Sequence, residues 1–438
     1  MSPSSTAAGA SSVSPTLTRQ GMPRNLDKSE SRVLVLSMYF APSPSVGGKR
    51  FSYLSRYLSQ SVVEYHVLAR KERFPTTDST AFIGNVHRVA MFPYYSTGEK
   101  RRGIRKMLRR AWKRWLCQVD PYIGWMIPAI VKGLQLNRKH SFNTVIVTVP
   151  FFSPLIVATL LCKLTHSRLI IDYRDPWTNH RTDFPKPFGR WLCPAVERMA
   201  IRQAHAIVFC SDIMRDQFVT AFRDIAPGSL NVVYNGFEDF EGGPSDEEVA
   251  ESVTTMLYAG NFYGARRLSI VAPLLAKLLD SGEVSGASFQ FHVYSSLNAE
   301  DRTLIEELQI GSLIQMHKPV PYDDIKRIMA RSTILFLPSG DDAAYAVPFK
   351  FFDYLSARRP ILAVAPKDSS VHRLMQSVDC GEFAEFGDDA AVLSALRLLI
   401  RKQRAYSFAG AEQFQWKNAA EKYCTLIDKL AATPGRVK

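Results

Sequence analysis

The chain has 438 residues, more than one hydrophobic core usually holds, so two domains are expected. Its 46% hydrophobic and 22% charged content is that of an ordinary globular protein and excludes a fibrous or wholly disordered one. The net charge of +14 implies an anionic partner, whether nucleotide, membrane surface or nucleic acid.

The cysteines Cys117, Cys162, Cys193, Cys210, Cys380 and Cys424 are scattered, with no C-x-x-C pair and no histidines clustered beside them in the sequence. That argues against a zinc site and a disulfide framework, so no metal is expected, and a reducing cytoplasm fits best. Residues 1–30, rich in Ser, Thr, Pro and Gly, read as a disordered tail without the apolar core of a signal peptide. No later window offers about 18 consecutive apolar residues, so no bilayer span is expected.

Arg32–Phe40 is a short apolar run suited to the centre of a parallel sheet. The loop after it carries Gly47 and Gly48, and a helical pattern follows through Phe51, Leu54 and Leu58. Glycines let the backbone approach a phosphate and the helix start supplies N–H donors, although a plain βα loop fits equally well. Residues 100–119 are the most basic stretch; on a helix, Ile104, Leu108, Trp112, Trp115, Leu116 and Val119 form one apolar stripe. This pattern predicts an interfacial helix at an anionic membrane, the alternative being a core-facing stripe with a solvated basic back. No motif for nucleic acid accompanies it.

Asn143–Val149 reads as a strand, as does Arg168–Asp172, which exits into Tyr173-Arg174-Asp175-Pro176-Trp177. In open α/β sheets ligands sit at the carboxyl ends of strands, so Asp172 and Asp175 are candidates to orient a hydroxyl acceptor or to hold Arg174. An ion-paired strand exit is the competing view. Ala206–Ser211 and Asn231–Gly236 are further strands, Asn235-Gly236 is a turn signal, and the acidic Phe237–Ser252 reads as a linker. A second half opens at Thr255–Gly260, where a strand again enters a glycine loop, now with Arg266 and Arg267, side chains that fork phosphate oxygens. Strand and helix signals alternate to Val347-Pro348-Phe349-Lys350-Phe351-Phe352-Asp353, a loop running into a helix. A helix start suits a diphosphate; Lys350 adds a full charge, and Asp353, on the same face, suits sugar or ribose hydroxyls.

These strings resemble family 4 glycosyltransferases, over about residues 32–430. The resemblance lies in Tyr39-Phe40 with Gly47-Gly48 and Arg50, in Asp172–Trp177, in Asn235-Gly236, and in the donor-site signature from Ser339 to Ala363. It implies the GT-B fold, two Rossmann-like α/β domains facing across a cleft: 31–240 for the acceptor, 253–408 for the nucleotide-sugar, and 409–438 a helix returning to the first domain. It further implies retaining transfer of a sugar, of hexosyl type, from a nucleoside diphosphate to a saccharide or lipid-linked saccharide, in polysaccharide biosynthesis at the inner membrane face. No cofactor beyond the nucleotide-sugar is implied. Lys350 and Arg266 would meet the departing diphosphate, with Arg267 as rival. Backbone at Gly47, Gly48, Gly260, Pro348 and Phe349 would line the donor site, and Asp353 would hold donor hydroxyls. Glu197 matches a helix glutamate expected to be structural. The chain departs from the family pattern at Tyr345, where a second acid usually stands, at Asn261, where an arginine usually stands, and after Val149, where a cleft histidine is absent. A catalytically silent sugar-nucleotide binder and a GT-B sugar-nucleotide epimerase are the alternatives.

Overall fold

The computed structural model describes residues 29–43, 45–72, 84–92, 117, 119–179, 188–224, 230–240, 253–262, 264 and 266–432. The expected tail, nearly all of the basic stretch 100–119 and the linker from 241 to 252 lie outside the described residues. Among the described residues the first sheet contains β1 (Ser29–Ser37), β2 (Val62–Arg70), β3 (Asn85–Val89), β4 (Thr144–Val149), β5 (Arg168–Tyr173), β6 (Ala206–Phe209) and β7 (Leu230–Val232). All pair parallel, in the order β3-β2-β1-β4-β5-β6-β7. The second sheet contains β8 (Thr254–Ala259), β9 (Phe289–Tyr294), β10 (Ile314–His317), β11 (Ile334–Pro338), β12 (Ile361–Ala365) and β13 (Gly381–Glu385). Its order, β10-β9-β8-β11-β12-β13, repeats the winding of the first.

The Val-, Ile- and Leu-rich strands β4 and β12 are buried along their whole length, as strands covered by helices on both faces must be. In each sheet the order reverses beside the first strand, between β1 and β4 and between β8 and β11. Chain leaving those strands at their carboxyl ends therefore frames a crevice, which is where such sheets take their ligands. The exits in question are the loops before Gly47, after Val149, after Ala259 and after Pro338.

Two segments cross between the halves, and they run side by side. Phe237 N–H donates to Phe414 O at 3.0 Å and Trp416 N–H to Phe237 O at 3.1 Å. Asn235-Gly236, expected as a turn, instead lies in this extended crossing. A Cβ on Gly236 would stand 2.5 Å from Phe414 O, so the pairing itself requires glycine. The helix Trp416–Ala432 then lies against the helix Val46–Ser61: Trp416 stacks on Tyr53 at 5.5 Å, and Tyr423 meets Phe51 edge-on at 5.8 Å. Burying a side chain such as Phe51 contributes about 1.5–3 kcal/mol.

Beneath that contact sits a fully buried ionic network. Arg50 Nη2 donates to Asp172 Oδ1 at 2.9 Å and to Val233 O at 2.8 Å, while Nη1 donates to Tyr234 O and Asn235 Oδ1, both at 3.1 Å. Asp172 also accepts from Thr148 at 2.8 Å and from Tyr423 at 2.6 Å. Burial opposes the guanidinium charge, but Asp172 and Tyr423 outweigh it and the pKa of Arg50 is raised. Asp172→Asn keeps the shape and strands the cation, so it should destabilise the first half by about 3–5 kcal/mol, as for other broken buried pairs. Tyr423→Phe removes one neutral donor and should cost about 1–2 kcal/mol. Urea unfolding midpoints of the two variants check this ranking, and equal midpoints would sink it.

Candidate active site

Lys350 lies at the carboxyl-end exit of β8. Strand β8 ends at Ala259, and Gly260 follows with φ 131°, a conformation that favours glycine. A Cβ there would stand 2.5 Å from Lys350 Nζ, so the missing side chain makes the lysine's berth. Lys350 lies in the first turn of the helix Phe349–Ala357, and its ammonium stands 3.8 Å above the ring of Tyr258. Burial pulls its pKa down to about 7; Arg266 adds to the shift and Asp353 opposes it. Lys350 and Arg266 thus form a pair of like charges close enough to repel. An anion beside Lys350 would favour its charged form. Pro348 is the N-cap of that helix, with no side-chain cap and no acid in the first turn, so its N–H donors point to the same region.

Arg267, the expected rival, turns away. Its Nη1 lies 3.0 Å from Glu300 Oε2 and its Nε donates to Gly264 O at 3.0 Å, on an exposed face. Asn261 is exposed, and its carbonyl accepts from the Tyr258 hydroxyl at 2.9 Å.

Asp353 differs from its expected role. Although three residues from Lys350, it faces a recess between the halves lined by Tyr53, Tyr322, Phe349 and Trp416. Oδ1 accepts from the Tyr322 hydroxyl, and burial raises the carboxyl pKa while Lys49 and the Tyr322 hydrogen bond pull it down. Lys49, from the first half, lies 3.3 Å over the Tyr322 ring and 5.6 Å from that of Phe349. The Phe349 side chain also packs on Trp416 at 5.9 Å, so only its backbone can serve the donor side.

On the facing half, Gly48 packs its Cα against the strand exit, where a Cβ would lie 3.2 Å from Phe40 N. The Gly47 carbonyl is taken by Arg174 Nη1, and the Pro150 carbonyl by Nη2. Arg174 is therefore a clamp between two cleft loops rather than a ligand in waiting. Asp175 remains accessible at the exit of β5; surrounding protein displaces enough water to raise its pKa, with Arg174 pulling the other way. Asp172 is the correction. It has no exposed surface, and its oxygens are occupied by Arg50, Tyr423 and Thr148, so it holds the fold and cannot reach an acceptor. Arg50 likewise lies inside the first half and not at the cleft border. Glu197 is structural as expected, accepting from Tyr173 at 2.9 Å and from Thr178 N–H at 3.1 Å.

The helix that starts at Ser153 offers no anion site, because Asp120 already accepts from the N–H groups of Phe152, at 2.8 Å, and Ser153, at 2.6 Å. Tyr345, where an acid is usual, packs its ring against the first core, and its carbonyl accepts from Ser211 and Ser370 at 2.5 and 2.8 Å. Together with Arg373 on Asp212 at 2.6 Å, these contacts bind the two halves across the cleft. Neither Ser211 nor Tyr258 was singled out from the sequence; Tyr258 was legible only as an aromatic next to a glycine loop.

The profile of Glycosyltransferase Family 4 matches residues 48–239. Sucrose-phosphate synthase (tll1590) from Thermosynechococcus elongatus superposes with a TM-score of 0.62 at 14% identity, covering 92% of this chain and 99% of that one. Anabaena Alr3699/HepE in complex with UDP superposes at 0.57 with 13% identity, covering 92% and 98%. The UDP-GlcNAc 2-epimerase from Methanocaldococcus jannaschii superposes at 0.51 with 10% identity, covering 91% and 99%. No curated protein sequence matches the chain.

The chain has the GT-B fold. In that frame Lys350 and Arg266 belong to the second Rossmann-like half, and Gly47, Gly48, Arg174 and Asp175 to the first. Because Arg266 contributes to the depressed pKa of Lys350, Arg266→Ala should move the lysine's midpoint upward from about 7 toward the usual lysine range. Lysine-selective NMR titration reads this directly; an unchanged midpoint would place Arg266 away from Lys350.

Proposed function

We propose that the protein transfers a hexosyl group from a nucleoside-diphosphate-sugar to the hydroxyl of a saccharide or lipid-linked saccharide, with retention. The observation that carries the reading is the convergence of Lys350, Arg266 and an uncapped helix start in the crevice of the second half. Breaking the bond from sugar to diphosphate leaves negative charge on the phosphate oxygens, and fixed cations and N–H dipoles stabilise it as it forms. Burial and Arg266 disfavour the charged form of Lys350, whose pKa is pulled down to about 7, and an arriving diphosphate favours it, which suits a group that must respond to developing charge. Two cations in place of a metal suffice for this electrostatic work. Asp175, accessible across the gap, is the group placed to orient the acceptor hydroxyl, supported from behind by Arg174. The match to Glycosyltransferase Family 4 over residues 48–239 and the UDP complex of a protein with this fold support a uridine nucleotide as donor.

Transfer and hydrolysis assays with UDP- and GDP-sugars test this. Lys350→Ala and Arg266→Ala should each lower turnover by about 100-fold or more, as loss of one charge-stabilising donor does. Arg267→Ala, whose guanidinium is engaged with Glu300, should change it less than about threefold. UDP affinity should also fall as pH rises through about 7 in the wild type, because binding takes up a proton on Lys350, and this slope should vanish in Lys350→Met. UDP binding without any transfer would leave a silent binder, and interconversion of free nucleotide-sugars would leave an epimerase. Wild-type-like turnover in both alanine variants would overturn the site.

The basic stretch 100–119 supports an acceptor presented at an anionic lipid surface. Flotation should recover the protein with vesicles containing anionic lipid and not with neutral ones, and equal recovery would end that part of the reading.

A further inference from the structure

Away from the crevice, near the start of β2, polar side chains from three elements converge. Glu64 and His66 are two residues apart on β2 and therefore face the same side of the sheet. His140 ends the helix Met126–His140, and His87 lies on the neighbouring β3. Glu64 Oε1 stands 3.1 Å from His66 Nε2 and 2.9 Å from His140 Nδ1. One ligand atom from each of the three falls within 4.8 Å of the others. His66 Nδ1 lies 2.9 Å from His87 Nε2. Phe142 closes one side, 5.2 Å from the His66 ring and 5.7 Å from that of His140, and Arg32 Nη1 donates to the His140 carbonyl at 3.3 Å, fixing the helix end.

We propose that Glu64, His66 and His140 bind a single divalent transition-metal ion of the zinc type, with His87 orienting His66. Zinc takes imidazole nitrogen at about 2.0–2.1 Å and carboxylate oxygen at about 2.0–2.2 Å, which puts tetrahedral ligand atoms about 3.3 Å apart. The two measured separations need only a few tenths of an ångström of adjustment to admit the ion. Three protein ligands leave a fourth position for water, on the side where Glu64 is 29% and His140 15% exposed. His66, coordinating through Nε2, keeps Nδ1–H to donate to His87 Nε2, the outer contact that metal-bound histidines use to hold their tautomer. Without an ion the same atoms are bridged by protons: His66 Nε2–H and His140 Nδ1–H donate to Glu64, and His87 Nε2–H donates to His66. Entry of the ion is then an exchange of tautomers on three rings.

The donor set decides the metal. Two imidazoles and one carboxylate are too few oxygens for Ca2+ or Mg2+ and suit zinc and its neighbours. Lys132 and Lys139 add positive field around the histidines, which opposes a bare point charge and leaves binding to ligand donation. The ion would tie β2 to the helix Met126–His140, far from Lys350, so its effect belongs to stability rather than to the chemistry of the crevice. Glu64 and His66 are neighbours on β2, but His87 lies 21 residues from His66 and His140 lies 76 from Glu64, which is why the sequence did not disclose the cluster.

The full chain, stripped with EDTA and dialysed, is titrated by calorimetry with Zn2+ and separately with Mg2+, and bound metal is counted by mass spectrometry. One Zn2+ per chain, a raised unfolding temperature and no Mg2+ binding are expected. Glu64→Gln and His140→Gln should each weaken Zn2+ binding by about tenfold or more, and His87→Ala by about tenfold. Circular dichroism of the metal-free variants should match the wild type. No Zn2+ on the wild type would overturn the proposal, as would equal binding by a variant carrying both glutamine substitutions, since the ion would then sit elsewhere.

Discussion

A charge buried without water must be matched inside the protein, and in this chain that requirement falls on Arg50. Its guanidinium has 1% exposure, and its partners come from β5, from the segment crossing to the second half and from the returning helix. Removing two charges from water costs several kcal/mol per ion, so the network is a weak source of net stability and a strong source of specificity. Only one arrangement of strand, crossing and helix satisfies every donor. Gly47 and Gly48 start the same helix that carries Arg50, so the backbone facing the crevice is placed by the same restraint.

The second half solves a different electrostatic problem. There a lysine is held where burial opposes its charge. Lys350 sits on an aromatic face beside Arg266, with Asp353 turned toward Tyr322 and Lys49. Burial and the nearby guanidinium both disfavour the charged lysine, and no acid stands in the first turn of the helix Phe349–Ala357, so that helix start has no carboxylate of its own.

What the sequence disclosed follows from the range of the interactions concerned. Apolar runs such as Thr144–Val149 and Ile361–Ala365, each followed by loop and helix signals, made the two parallel sheets legible, because strand burial is written locally. Lys350 and its helix start were legible for the same reason. Asp172 was misjudged because its partners lie 122 and 251 residues away, and a carboxylate at a strand exit has the same local surroundings whether it faces solvent or a buried arginine. Sequence spacing put Asp353 and Lys350 on one helix face, yet Tyr322 and Lys49, one from each half, drew the carboxylate to a different recess. The choice of Arg266 over Arg267 came from resemblance; in the structure Arg267 is engaged with Glu300, while Arg266 contributes to the depressed pKa of Lys350.

The halves are joined in two places. One is the pair of crossing segments at Phe237 and Phe414–Trp416, and the other is Arg373 on Asp212 with Ser211 on Tyr345. Between them, Lys49 of the first half sits against Tyr322, whose hydroxyl holds Asp353, one helical turn from Lys350. Lys49 and the Tyr322 hydrogen bond offset part of the burial of the Asp353 carboxyl, and Asp353 in turn opposes the depression of the Lys350 pKa. Side chains from both halves therefore bear on one helix start, which ties the electrostatics around Lys350 to the packing between the halves.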